Sequence, residues 1–212
     1  MFNLHKTQKP GLIIFGLGNP GKKYVHTRHN AGFLFLSAFA NKLGCELKKK
    51  QFNSVTCYSK EHRIMLVEPL TYMNMSGVAV KSIINKYSVK PQDIVVVHDD
   101  MDLPVGRAKF QYNRSSAGHK GIESIIEQIG TKEFYRIRIG IGKPASLDQT
   151  VNYVLSEFGI EELKILNALF NEVSEKLMLF INGEREKAME YVNKITLHNL
   201  DYKEKNKGNV DL

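Results

Sequence analysis

The residues of this chain best suited to proton chemistry sit beside turns that contain glycine or proline. His29 lies in Thr27-Arg-His-Asn-Ala-Gly32, Asp99 in His98-Asp-Asp-Met-Asp-Leu-Pro104, Asn19 in Gly16-Leu-Gly-Asn-Pro-Gly21, and Asn74 in Tyr72-Met-Asn-Met-Ser-Gly77. A histidine oriented by a carboxylate can take a proton from water near neutral pH. Asparagine amides offer a polar substrate both donors and an acceptor. Each residue also has a structural reading: His29 as a capping or surface residue at a helix start, Asp99 as a turn aspartate ahead of Pro104, Asn74 as a helix N-cap. Singly, none decides. One His and three Asp fall within residues 98–102, but only alternate positions of an extended segment share a face. With no second cluster of His or Cys in support, no metal is expected.

The loop Gly16-Leu-Gly-Asn-Pro-Gly21 follows an apolar run and matches the spacing of a dinucleotide-binding fingerprint. That fingerprint needs a helix opening at its third glycine, to hold a pyrophosphate at the helix N-terminus. Here Gly21 leads into Lys22-Lys23-Tyr24, and the apolar helical period begins only near Asn30. Glu46, the nearest acidic residue in number, adjoins a lysine run rather than closing a strand. The loop therefore reads as a rigid turn that fixes Asn19 at the mouth of the first strand, and no nucleotide cofactor is expected.

The elements that must hold these residues follow from hydrophobic period. Residues 12–17 form a continuous apolar run, the mark of a buried strand. Residues 31–43 carry Phe33, Leu34, Leu36, Phe39 and Leu43 at helical spacing. Residues 55–58 and 64–67 read as two strands around a polar turn, and a helix runs from Asn74 to before Pro91. Ile94-Val-Val-Val97 is continuous and β-branched, so it reads as a central strand. Residues 107–112 and 135–141 alternate as half-buried strands do, with a short helix over 121–130 between them. Leu163, Leu166, Phe170, Val173, Leu177 and Phe180 make one face of an amphipathic helix, and 184–194 suggests another. Strands alternating with helices predict a single three-layer α/β/α domain over residues 11–196, with a mixed, mostly parallel sheet. A short extension (1–10) precedes it and a polar, flexible tail (197–212) follows.

Composition narrows the class. With 212 residues, 42% hydrophobic and 25% charged, the chain can bury a core as one globular domain. No stretch approaches the roughly 20 apolar residues of a membrane span, and the first ten residues lack the apolar core of a signal peptide, so a soluble cytoplasmic protein is expected. Cys45 and Cys57 form neither metal-ligand spacing nor a disulfide framework. They read as small buried hydrophobes in a reducing compartment. The net charge of +8 favours a polyanionic partner.

Together the motifs resemble the bacterial-type peptidyl-tRNA hydrolase family. The four segments quoted above continue with Gly118-His-Lys-Gly121 and Arg136-Ile-Arg-Ile-Gly-Ile-Gly142, in the family's order and spacing, over roughly residues 11–195. The resemblance implies hydrolysis of the ester joining a peptide, or an N-blocked amino acid, to the 3′ end of tRNA, freeing the tRNA for reuse in translation. It implies His29 as general base, Asp99 as its orienting carboxylate, and Asn19 as the group that tells a peptide's amide from a free ammonium. The partner would be the acceptor end and 3′ CCA of peptidyl-tRNA, with Asn74 and Tyr72 contacting substrate near the ester, Met73 lining the cleft and Tyr24 near the terminal adenosine. Arg138 would grip the 5′ phosphate. It implies no cofactor and no metal, and a monomer is expected. Two positions depart from the pattern. Lys120 stands where the family has asparagine, so an ammonium could meet a tRNA phosphate or developing negative charge. Gln111 stands where lysine is common, leaving Lys109 or Arg114 as substitutes. A non-catalytic RNA-binding protein on the same fold is the rival reading.

Overall fold

Ile94-Val-Val-Val97 does form the middle of the sheet. In the computed structural model β5 (Ile94–Asp100) lies between β1 (Leu12–Gly16) and β7 (Tyr135–Gly140), parallel to both. The structure describes residues 9–197 apart from 145; the remainder of the expected extension and tail lies outside the described residues. β4 (Ile64–Pro69) adds a fourth parallel strand beside β1. Antiparallel strands complete the edges: β3 (Ser54–Ser59) and β2 (Lys49–Gln51) on one side, β6 (Ala108–Tyr112) on the other, in the order β2-β3-β4-β1-β5-β7-β6. β2 escapes the sequence reading because Lys49-Lys-Gln51 has no apolar residue to mark a period. It is a short charged edge.

Side-chain alternation divides the core into two layers. Leu12, Ile14, Val95 and Val97 face one side, packed by Phe35, Leu36 and Phe39 of α1 (Ala31–Lys42), Leu166 to Phe180 of α5 (Ile160–Ile181), and Ala188 and Val192 of α6 (Arg185–Lys194). Ile13, Phe15, Ile94 and Val96 face the other, covered by Val80 and Ile83 of α2 (Ser76–Tyr87) and Ile122 and Ile125 of α3 (Lys120–Ile129). This is the three-layer α/β/α arrangement that the periods predict. Among the described residues no helix is long and apolar enough to cross a membrane.

One expectation is corrected. Cys45 and Cys57 are joined as a disulfide with their Cα atoms 6.0 Å apart. Gly44, at φ +60°, turns the chain out of α1 and brings Cys45 over β3, a meeting that the spacing of two cysteines does not reveal. Cysteine usage therefore carries no argument for a reducing compartment.

The parallel strands β4, β1 and β5 all end at the same side of the sheet, where ligands collect in open α/β folds. α1 is pressed onto that edge by a glycine contact. A Cβ on Gly32 would lie 2.4 Å from both Leu17 N and Val97 O, atoms that are hydrogen-bonded to each other at 2.9 Å. Backbone cannot yield as a flexible side chain can. Gly32→Ala is expected to lower unfolding stability by about 3 kcal/mol, the upper end for overpacking, as read by denaturant titration. A variant with wild-type stability would show that the contact relaxes freely.

Candidate active site

Asp99 stands one residue before the end of β5, only 2% exposed, where an ionised carboxylate must be compensated. Two imidazoles supply the compensation. His29 Nδ1 lies 2.9 and 3.0 Å from the two carboxylate oxygens, and His119 Nε2 lies 3.0 Å from Oδ1. His29 comes from a turn of 3₁₀ helix, Arg28–Asn30, that leads into α1. The preceding residue anchors that turn: Arg28 makes two hydrogen bonds to Glu162 of α5, at 2.8 and 2.9 Å, and lies over the rings of Tyr153 and Phe158. With Nδ1–H committed to Asp99, the lone pair of His29 is left on Nε2.

His119 is the N-cap of α3, and its Nδ1 accepts from Ile122 N–H at 3.3 Å. An accepting Nδ1 places the proton on Nε2, where it donates to Asp99. A metal ion shared by His29, Asp99 and His119 would need that Nε2 lone pair, displacing the proton to a nitrogen that already faces an N–H. The donor set suits protons better than a cation. His98 lies fully inside the protein, its ring edge against His119 with centroids 4.5 Å apart. Its Nδ1–H donates to the carbonyl oxygen of Asp99 at 2.7 Å, and its buried Nε2 has no partner among the described residues.

Burial and charge pull these groups in opposite directions. Desolvation disfavours the imidazolium of His29, but the charge and hydrogen bond of Asp99 outweigh it and hold its pKa above the ordinary histidine value. Burial likewise opposes ionisation of Asp99, yet His29 and His119 keep its carboxyl well below the usual carboxylate range. For His98, burial and then the neighbouring His119 push the pKa far down.

The loop after β1 brings a second set of amides to the same edge. Asn19 Oδ1 accepts from Met73 N–H at 2.9 Å. Asn30 braces it twice, accepting from Asn19 N–H at 2.8 Å and donating to Asn19 O at 3.1 Å. Asn30 is only 2% exposed, and sequence reading assigned it no role. Met73–Met75 is a 3₁₀ turn ahead of α2, whose N-cap is Met75 and makes no side-chain cap bond. Asn74 is therefore exposed at the cleft rather than capping a helix, contrary to its structural reading.

These residues line one cleft of about 950 Å³. All nine sequence-predicted site residues reach it: Asn19, Tyr24, His29, Tyr72, Met73, Asn74, Asp99, Lys120 and Arg138. Of the two proposed substitutes for a lysine at 111, Arg114 lines the cleft, whereas Lys109 donates to Asn193 O of α6 at 3.2 Å. Gln111 instead accepts from Arg138 Nη1 at 3.1 Å, and Arg138 Nε pairs with Asp100. Lys120 is 71% exposed and pairs with Glu123 Oε2 at 3.0 Å. Arg136, unassigned from sequence, is 3% exposed beside the cleft and donates to the carbonyls of Arg114 and Ser115, tying their loop to β7. The small helix α4 (Thr150–Val154), absent from the periodicity because it spans barely one turn, contributes Val151 and Val154 to the rim.

Known proteins resemble this chain in sequence and fold. The sequence profile described as peptidyl-tRNA hydrolase matches residues 13–200. The peptidyl-tRNA hydrolase of Thermodesulfovibrio yellowstonii is 43% identical over 187 residues, covering 87% of this chain and 100% of the relative. That of Mycoplasma capricolum is 45% identical over 174 residues, 81% of this chain and 94% of the relative. A crystal structure of peptidyl-tRNA hydrolase from Acinetobacter baumannii has a TM-score of 0.83 and 32% identity, covering 89% of this chain and 97% of that one.

The electrostatics give a direct test. Replacing Asp99 by Asn removes the charge that favours the imidazolium, so the NMR titration midpoint of His29 should fall. Asp99 also contributes stability that is present above the unfolded carboxylate pKa of about 3.9 and lost as pH falls toward its depressed folded value. Acid unfolding of Asp99→Asn should therefore be shallower than that of wild type. An unmoved His29 midpoint would show that Asp99 does not set its basicity.

Proposed function

The chain belongs to the peptidyl-tRNA hydrolase family, and from that premise we propose that it cleaves the ester between a peptide, or N-blocked amino acid, and the 3′ end of tRNA, with His29 as general base. The observation that carries the reading is the His29–Asp99 pair, which leaves an imidazole Nε2 lone pair beside a cleft. A water there loses its proton to Nε2 as its oxygen attacks the ester carbonyl carbon. The imidazolium formed is stabilised by Asp99, the role of the third member of a triad. It then returns the proton to the departing ribose 3′ oxygen as the C–O bond breaks, releasing the peptide acid and free tRNA. The amide of Asn74 is the donor assigned to the developing oxyanion, and the exposed ammonium of Lys120 is assigned to a tRNA phosphate.

Asn19 carries the selectivity in this reading. With Oδ1 engaged by Met73 N–H, what it turns to substrate is Nδ2, a donor matched to the carbonyl of an N-acyl group. A free α-ammonium has only donors and repels it. Tyr24 and Tyr72 offer faces for stacking against the single-stranded 3′ end. Val151 at the exposed rim suits apolar peptide side chains. Met73 is buried, 4% exposed, and forms the floor. Arg138, oriented by Asp100 and Gln111, serves as a single guanidinium for a phosphate, with Arg114 as the additional cation on its loop. The substrate carries a cytoplasmic location with it, and a monomer remains the expected state.

The wild-type protein is expected to hydrolyse N-acetyl-aminoacyl-tRNA and to leave free aminoacyl-tRNA intact. His29→Ala should lose at least about 10² to 10⁴ in rate, the worth of positioned acid–base help, while tRNA binding holds and Tm falls, because Asp99 loses one of the two partners of its buried charge. Full hydrolysis by that variant would overturn the assignment of the base. Binding of tRNA by wild type without hydrolysis would favour the RNA-binding alternative. Lys120→Asn should stay within about tenfold of wild type and flatten the salt dependence of KM by about 0.7–0.9 in log–log slope, one phosphate contact's worth.

A further inference from the structure

We propose that His119 is a positioning residue for the general base: a neutral imidazole, locked in one tautomer by the first turn of α3, that shares the Asp99 carboxylate with His29 and so sets how tightly His29 holds its proton. The proposal rests on His29 being the base. Asp99 Oδ1 is bonded to both rings, at 2.9 Å from His29 and 3.0 Å from His119, while Oδ2 serves His29 alone at 3.0 Å. The two rings lie 5.3 Å apart between centroids. Two imidazolium ions at that separation would share a single anion. The Ile122 N–H directed at His119 Nδ1 resists that state, because a protonated Nδ1 would face another donor. His119 can thus drain charge from the carboxylate without competing for the proton that catalysis moves. His98 packs against one side of the ring and limits its freedom to swing away.

The other charged and titratable groups around this trio are ion-paired or neutral, apart from the guanidinium groups of Arg136 and of Arg114 on the cleft wall. On β5, His98 is held neutral, and Asp100 is paired with Arg138 of β7. Arg136 of β7 is bonded to loop carbonyls. Lys120 of α3 is paired with Glu123, and Arg28, next to His29, is paired with Glu162. His119 is the group that touches the catalytic carboxylate besides His29. A hydrogen bond given to a carboxylate stabilises its charge and weakens its pull on a second partner. Losing that bond leaves more of the charge to the His29 imidazolium, so the base is protonated over more of the neutral range.

Two substitutions separate the roles of the ring. An asparagine side chain reaches the position of Nδ1, so His119→Asn keeps an acceptor for Ile122 N–H, and thus the cap, but loses the donor to Asp99. A glutamine reaches the position of Nε2, so His119→Gln keeps the donor and loses the cap. The experiment measures kcat/KM for N-acetyl-aminoacyl-tRNA against pH in wild type and both variants, with Tm for each and NMR titration of His29 as a readout independent of turnover. His119→Asn should lower Tm through the hydrogen bond lost to the buried carboxylate, while its acidic limb and His29 midpoint move up by about half to one pH unit. His119→Gln should hold the wild-type limb with a lower Tm. Equal limbs in all three proteins, an equal shift in both variants, or a shift in His119→Gln alone would each overturn the proposal. Full activity in His29→Ala would instead remove the base assignment on which it rests, a separate failure read in the same assay.

Discussion

The site depends on one buried charge. Removing a carboxylate from water costs several kcal/mol unless partners replace the lost hydration. Asp99 meets that cost with two imidazoles carried by the starts of two different helices, α1 and α3, that lie on opposite faces of the sheet. The carboxylate is therefore the point at which both helical layers are tied to the central strand. Its charge keeps His29 basic enough to accept a proton, and the same pairing holds Asp99 ionised.

Close backbone contact makes this clasp possible. Gly16 and Gly32 let β1 and α1 approach until side chains no longer separate them, so His29, three residues before Gly32, stands over the end of β5. The parallel strands supply the rest. Because β4, β1 and β5 run the same way, the turns after each of them reach one edge and bring Tyr72 to Asn74, Asn19 and Asp99 together. The cross-bracing of Asn19 by Asn30 and by Met73 N–H then joins two of those turns into a single wall.

The two departures from the family pattern fall on the rim and leave the proton chemistry intact. Lys120 begins α3 directly after His119, exposed and ion-paired with Glu123, where a pair in high dielectric is worth little and can open to an anion. Gln111 brings no charge, but its carbonyl orients the guanidinium of Arg138. Position 111 thus carries a neutral group that aligns a guanidinium rather than a second cation.

By itself the sequence determined most of the secondary structure and picked out the polar residues that meet at the cleft. The periods of Leu12 to Leu17, Ile94 to Val97 and Leu163 to Phe180 report burial, and burial is what the elements obey; β2, α4 and the short 3₁₀ turns, too short or too polar to show a period, went unseen. His29, Asp99 and the asparagines were legible because their motifs join chemistry to turn residues. Tertiary structure alone decided how they are wired. It set His119 as the second partner of Asp99 and turned the Asn19 carbonyl toward Met73. It took Asn74 off the helix cap, sent Lys109 away from the cleft and joined Cys45 to Cys57. The physical reason is distance along the chain. The His29–Asp99 and Asn19–Met73 contacts link residues 70 and 54 positions apart, and strand order, which no local pattern encodes, brings them within hydrogen-bonding reach.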